Sequence, residues 1–153
     1  MALSMATGSR KSHHSKGHQL GWSMRDDLRA ELVLDALGMA VAQRGTTAGV
    51  VAHSDHGSQY TSLAYGTYAK SSGIDLSMGS IGDPWDNALA ETFFASLEKE
   101  LLRRERFPTR EAARMRLFWY IECFYNPRRR HSGLGYLSPA DYEKQHQKEA
   151  IPA

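Results

Sequence analysis

A chain of 153 residues that is 41% hydrophobic and 24% charged has the composition of a globular protein and the length of one domain with a workable core. No apolar run approaches the roughly 18–20 residues needed to cross a bilayer, Met1 to Gly17 lacks the apolar segment of a secretory signal, and a single cysteine, Cys123, cannot build a disulfide framework. These features exclude an integral helical membrane protein and a disulfide-stapled secreted one, and they lead us to expect a cytoplasmic protein in which Cys123 serves as a buried apolar side chain.

The net charge of +2 hides opposed segments. Residues 1–25 hold four basic groups and no acidic one, residues 26–98 come to −7, residues 99–130 to +6, and residues 131–153 to −1. An acidic half followed by a basic half suits a metal site beside a phosphate-binding surface, and equally a set of solvated helices.

Residues 1–18, rich in Ser, His and basic groups, read as a disordered leader, residues 19–147 as the folded core with a C-terminal helical extension, and residues 148–153 as a tail. Gln19 to Met24 is a short strand candidate. Asp26 and Asp27 stand where they would cap a helix from Leu28 to Arg44, whose Leu32, Leu34, Ala36, Leu37, Met39, Ala40 and Val41 form an apolar face. Ala48 to His53 is a β-branched run ending in the turn Ser54-Asp55-His56-Gly57. A helix over Ser62 to Ser71 stops at Gly73, Ile74 to Met78 alternates as a strand does, and Gly79 to Trp85 is a loop. Trp85 beside Pro84 reads as a packing residue that locks this loop. A long helix runs from near Asp86 to about Arg104, with Phe93, Phe94, Leu97 and Leu101 at core spacing. Thr109 caps the next helix, which Asn126 and Pro127 close, and a last helix runs from Pro139 to about Gln147. The alternation of strands and helices predicts an α/β fold.

Asp55 follows an apolar strand, where α/β sheets place ligand groups. Glu91 stands on a helix among Ala88, Leu89, Ala90, Phe93 and Phe94, a setting in which a carboxylate is costly to bury unless it is paired or metal-bound; the alternative is that helical rotation simply carries it to solvent. Two carboxylates so placed suit a magnesium-dependent phosphoryl-transfer site, because Mg²⁺ prefers oxygen ligands and keeps several waters. His53, Asp55 and His56 offer an alternative, a zinc site built on imidazole. Arg128, Arg129, Arg130 and His131 read either as a solvated turn or as phosphate contacts.

The segments His53-Ser54-Asp55-His56-Gly57-Ser58-Gln59-Tyr60 and Asp83-Pro84-Trp85-Asp86-Asn87-Ala88-Leu89-Ala90-Glu91, followed by the stretch from Phe124 to Tyr142, resemble bacterial insertion-sequence transposases with a retroviral-integrase-like catalytic core. Thirty-five residues lie between Asp55 and Glu91, the spacing for which this family's second and third catalytic carboxylates are known. The resemblance implies a ribonuclease H-like fold, two Mg²⁺ or Mn²⁺ ions held by three acidic residues, DNA as substrate, and a homo-oligomer. Asp55 and Glu91 match the second and third of those acids. The first belongs on a central strand before the segment that Gln19 to Met24 resembles. Asp26, Asp27 and Asp35 lie on or beside the first helix and do not match it, and residues 1–18 contain no acid. The expectation is a core that lacks its first strands and first carboxylate, with an upstream transposase polypeptide as a further partner. Strands left without neighbours would then favour association or poor solubility. Such enzymes often carry a DNA-contacting basic residue two helical turns after the glutamate. Glu98 stands there, and Lys99 lies one residue, about 100°, further round. If the core is inactive, binding of DNA or a partner is the remaining role.

Overall fold

The computed structural model describes residues 2–6, 8–10, 18–27, 29–44, 50–53, 62–77 and 84–149. They fall into two compact units, one of residues 2–10 and 19–77 and the other of His18 and residues 84–149. Among the described residues no helix is long and apolar enough to cross a membrane.

The first unit is α/β. Strands β1 (Ala2–Ala6) and β2 (Gly8–Arg10) are followed by β3 (Gly21–Arg25), α1 (Ala30–Arg44), β4 (Val50–His53), α2 (Leu63–Ser71) and β5 (Asp75–Ser77). The pairing of β1 with β3 is antiparallel, from Ala2 opposite Arg25 to Ala6 opposite Gly21. β2 pairs antiparallel with β4, and β4 pairs parallel with β5 from Val51 opposite Asp75 to His53 opposite Ser77. Parallel strands need a crossover, and α2 supplies it.

Two expectations about this unit are corrected. Residues 2–6 and 8–10, assigned to a disordered leader, form strands, because the alternating Leu3-Ser4-Met5 precedes the Ser, His and basic run that dominated the composition. As a result β3 and the outer edge of β4, expected to lack neighbours, are both paired. The first helix begins at Ala30, and Asp27 instead forms ion pairs with Arg25 at 3.5 Å and Arg29 at 3.1 Å. The expected strand at Gln19 to Met24 is met by β3, shifted by a residue or two.

Consecutive positions Leu20, Gly21, Trp22, Ser23 and Met24 are buried, so β3 is covered on both faces. Helix α1 packs over β3 and β1 and against α2. The inward face of α1 is Leu32, Val33, Ala36, Leu37 and Ala40, and Val33 and Leu37 join Tyr65, Ala69 and Ile74 in one cluster with Leu34, Val41 and Leu76 at its edge.

Local chemistry sets the ends of α2. The Ser62 hydroxyl accepts from the Tyr65 N–H at 3.2 Å, which satisfies one of the free donors of the first turn. At the other end Gly73 has φ +70°, its N–H reaches the Lys70 carbonyl at 3.1 Å, and the Ile74 N–H reaches Ala69 at 2.9 Å. This Schellman arrangement needs a left-handed residue at Gly73 and delivers Ile74 into the core beside Ala69.

The second unit is helical. α3 (Pro84–Leu97) starts two residues before the expected point, since Pro is tolerated in the first turn, and runs on as a π-helical turn over Glu98–Leu102. α4 (Arg110–Phe118) is capped by Thr109, which accepts from the Ala112 N–H at 3.1 Å, and it too continues as a π-helix over Trp119–Tyr125. A 3₁₀ turn at Ser132–Leu134 leads to α5 (Pro139–Glu149). Ser138 caps α5, accepting from the Asp141 N–H at 3.2 Å and donating to its carboxylate at 2.7 Å. Phe93, Leu97 and Leu101 are fully buried as expected, whereas Phe94 is 40% exposed and touches Phe93 edge-on at 5.4 Å. Cys123 is only half-buried.

The approach of β3 to α1 yields a prediction. A Cβ built on Gly21 would lie 2.0 Å from the Ala36 carbonyl oxygen and 2.6 Å from the Ala40 nitrogen, both backbone atoms, while one on Gly66 in α2 meets nothing within 4 Å. Gly21→Ala is expected to lower stability by about 3 kcal/mol or more, at or beyond the upper end of overpacking. Gly66→Ala should raise it by roughly 0.5–1 kcal/mol. Denaturant melts of the two variants check both signs.

Candidate active site

Glu91 is the eighth residue of α3, and its position follows from helix geometry. Phe93, two residues on, is fully buried and packs edge-on against the Tyr125 ring, centroids 4.8 Å apart. Two residues turn a helix by about 200°, so a helix that buries Phe93 presents Glu91 on its opposite, exposed side. Two acids lie between Glu91 and Leu102. Glu98 accepts from Arg103 Nε at 3.0 Å and Nη2 at 2.9 Å. Glu100 is committed to Arg129 and Tyr120. Among the described residues the Glu91 carboxylate has no hydrogen bond or ion pair. Carboxylate oxygens held on a fixed helix fit a hard divalent cation as ligand, whereas the acids already forked by arginine do not.

Asp55 and His56 lie outside the described residues, as does the side chain of Trp85. Of their surroundings the structure gives β4, whose last residue is His53, two positions before Asp55, and its parallel neighbour β5. Among the described residues no group of three His, Cys, Asp or Glu is placed to hold a metal.

The basic candidates separate. Lys99 is exposed on the π turn. Arg128 and Arg130 are exposed as well, and neither has a side-chain partner among the described residues. Arg129 points inward. Its Nε lies 3.0 Å from both Glu100 carboxylate oxygens and its Nη2 2.6 Å from one of them. Its Nη1 is 3.1 Å from His131 Nδ1, and its Cζ stands 5.7 Å from the centroid of the Tyr125 ring. The Tyr120 hydroxyl donates to Glu100 at 2.8 Å. This network joins residues 29 positions apart. Glu100, Tyr120, Tyr125 and His131 were not legible as a group, since no local spacing links them; the one sequence signal was a glutamate beside the core residue Leu101.

The charges of the network are mutually set. Hydrogen bonds from Arg129 hold the Glu100 carboxyl below its ordinary value, with Tyr120 adding to the effect against a cost of burial. Burial pushes the Tyr120 phenol well above its usual range, and that of Tyr125 up to about 12. Burial first, and then the Arg129 charge, holds His131 below its ordinary value. A neutral imidazole is what Arg129, a pure donor, requires of it.

Comparison with known proteins bears on the family and the fold. Two family models, each described as Integrase core domain, match residues 16–84 and 72–139. The chain is 42% identical over 125 residues to the transposase for insertion sequence element IS904 of Lactococcus lactis subsp. lactis (strain IL1403), covering 82% of this chain and 49% of that protein. It is 44% identical over 126 residues to transposase InsF for insertion sequence IS3fB of Escherichia coli (strain K12), covering 82% of this chain and 44% of that one. This chain belongs to the insertion-sequence transposases with an integrase core. It spans about half the length of the curated relatives it matches. In three dimensions the integrase core is similar, at 15% identity and a TM-score of 0.63, to a chain of the cryo-EM structure of the simian T-cell lymphotropic virus intasome in complex with PP2A regulatory subunit B56 gamma; the match covers 89% of this chain and 48% of that one. The likeness supports the integrase-type fold expected from the sequence.

Because the folded-state value of His131 is depressed, the unfolded chain takes up that proton first, and stability present at neutral pH is lost as pH falls below about 6.5. Glu100 is also depressed, so its contribution is present above about 4.5 and disappears as pH falls through its lower folded value. Melting temperature against pH should therefore fall less steeply below 6.5 in His131→Asn than in the unaltered chain. Equal slopes for the two would contradict the assignment.

Proposed function

We propose that this chain provides two metal-binding carboxylates, Asp55 and Glu91, of a DNA transposase core. In the intact enzyme the core would hydrolyse a phosphodiester at the transposon end, after which the freed 3′-hydroxyl would attack target DNA. Support comes from the relatives, which are named transposases, and above all from one observation: Glu91 stands exposed and, among the described residues, without a partner, on a helix whose other acids between Glu91 and Leu102 are bonded to arginine or tyrosine. Mg²⁺ or Mn²⁺ bound by Asp55 and Glu91 would supply neutralisation of the phosphate charge and activation of the attacking oxygen. No side chain then needs to act as nucleophile. The protein's part is to hold the carboxylates still and to seat the DNA backbone, for which Lys99, Arg128 and Arg130 are exposed cations. Arginine binds phosphate through two parallel N–H donors. We further propose that the working assembly is a homo-oligomer on DNA, joined by an upstream transposase polypeptide that brings the remaining carboxylate.

The deciding experiment measures nicking and strand transfer on a transposon-end duplex with Mg²⁺ or Mn²⁺, using the chain alone and with an upstream transposase polypeptide. Metal-dependent cleavage that falls at least 100-fold in both Glu91→Gln and Asp55→Asn, with DNA affinity retained, is expected. Cleavage that survives Glu91→Gln would sink the assignment and favour the histidine cluster at His53 and His56. DNA binding without cleavage in every mixture would make the chain a binding module.

The phosphate contacts have their own signature. Each arginine that neutralises a phosphate adds about one unit to the slope of log affinity against log salt. Arg128→Ala and Arg130→Ala are each expected to reduce that slope by about one and to weaken binding to all sequences alike, as a salt titration of DNA binding would report.

A further inference from the structure

We propose that Arg129 is a positioning residue for Glu91, setting the rotation of the helix that carries it, in place of the phosphate contact that the run Arg128-Arg129-Arg130 suggests. The proposal rests on the reading of Glu91 as a metal ligand.

Arg129 grips that helix at two points. Through Nε and Nη2 it forks the Glu100 carboxylate, nine residues beyond Glu91. Through its cation it lies over Tyr125, whose ring is wedged edge-on against Phe93. Phe93 and Glu100 stand seven residues apart, close to two full turns, and so on nearly the same side of the helix. Fixing both leaves the helix no freedom to roll. The residue turned away from this double contact is Glu91.

Each of the three guanidinium nitrogens of Arg129 also has a partner. Nε and Nη2 serve Glu100, Nη1 serves His131, and the side chain is only 23% exposed. A phosphate approaching it would have to displace the carboxylate. Arg128 and Arg130 on either side are exposed. The geometry thus divides three consecutive arginines between two tasks: the outer two face solvent, and the middle one clamps. Lysine at 129 would keep the charge but not the fork, because an ammonium offers no parallel pair of N–H groups.

The test uses the full chain with Arg129→Gln, Arg129→Lys and Arg130→Gln, at a temperature where circular dichroism shows each variant folded. Arg129→Gln is expected to lower kcat for metal-dependent nicking at least tenfold while leaving DNA affinity and its salt slope unchanged, and Arg129→Lys to recover part of that loss. A salt slope reduced by about one in Arg129→Gln would make the residue a phosphate contact and overturn the proposal. Unchanged kcat with a lowered melting temperature would overturn it too, leaving only a scaffold role. If the unaltered chain neither binds nor cuts DNA, the reading of Glu91 fails separately. Positioning is then decided by the NMR amide shift of Glu91. Movement in Arg129→Gln but not in Arg130→Gln supports the clamp, and no movement in either refutes it.

Discussion

The half-buried ion pair between Glu100 and Arg129 is the constraint on which the helical unit depends. Each partner would be costly to leave alone at this depth, since a charge removed from water without a counter-ion loses several kcal/mol of solvation. The pair escapes that cost because its geometry is saturated. Both carboxylate oxygens accept from the guanidinium, one also accepts from Tyr120, and the remaining side of the fork faces a neutral His131. An apolar pair of similar volume could fill the space, but it would not specify one rotation of the helix. Directional hydrogen bonds do, and a metal-binding carboxylate needs that fixed aim.

Around this pair the aromatic residues supply area, and the ion pair supplies register. Tyr125 meets Phe93, Tyr120 and His131, so a single buried ring links α3, the second π-helix and the loop that follows. The loop is tied in turn by backbone bonds: the His131 N–H to the Leu137 carbonyl, and the Ala140 N–H to the carbonyl of buried Asn126. Arg116 adds an exposed fork to Glu105, which fastens α4 to the link before it. Exposed pairs of this kind contribute little to stability, so the half-buried cluster carries the weight.

The sequence was legible where structure is local and misleading where it is not. Helix α2 could be placed to within a residue because Ser62 and Gly73 mark its two ends by mechanisms that act over three or four residues. The seam of Phe93, Leu97 and Leu101 followed from helical period, and the same period wrongly included Phe94, which sits just past the edge of the buried stripe. Strands β1 and β2 escaped notice because a strand exists through its partner, and the partners of residues 2–10 lie far along the chain in β3 and β4. The partner of Arg129 escaped the sequence for the same reason. Its neighbours Arg128 and Arg130 are surface cations, and only the fold brings Glu100 to it. Glu91 was singled out as an acid in an apolar setting, and the helix carries it instead to the exposed side.

The π turn after α3 shows how a departure in sequence is absorbed by geometry. Seven residues fall about 20° short of two full helical turns, so Glu98 lies nearly in line with Glu91 and places a second acid on that face. In a π-helix the backbone bonds run from residue i to i+5, which makes residues five apart neighbours in the way that residues four apart are in an α-helix. Arg103 is five residues beyond Glu98, and its N–H bonds the Glu98 carbonyl at 2.9 Å while its guanidinium bonds the Glu98 carboxylate. The wider turn therefore does two things. It slows the rotation per residue, so Lys99 is carried less far from the line of Glu91 than a regular helix would carry it. It also folds Arg103 back over Glu98, so that an exposed guanidinium covers the second carboxylate and leaves Glu91, among the described residues, as the acid without a partner on that face.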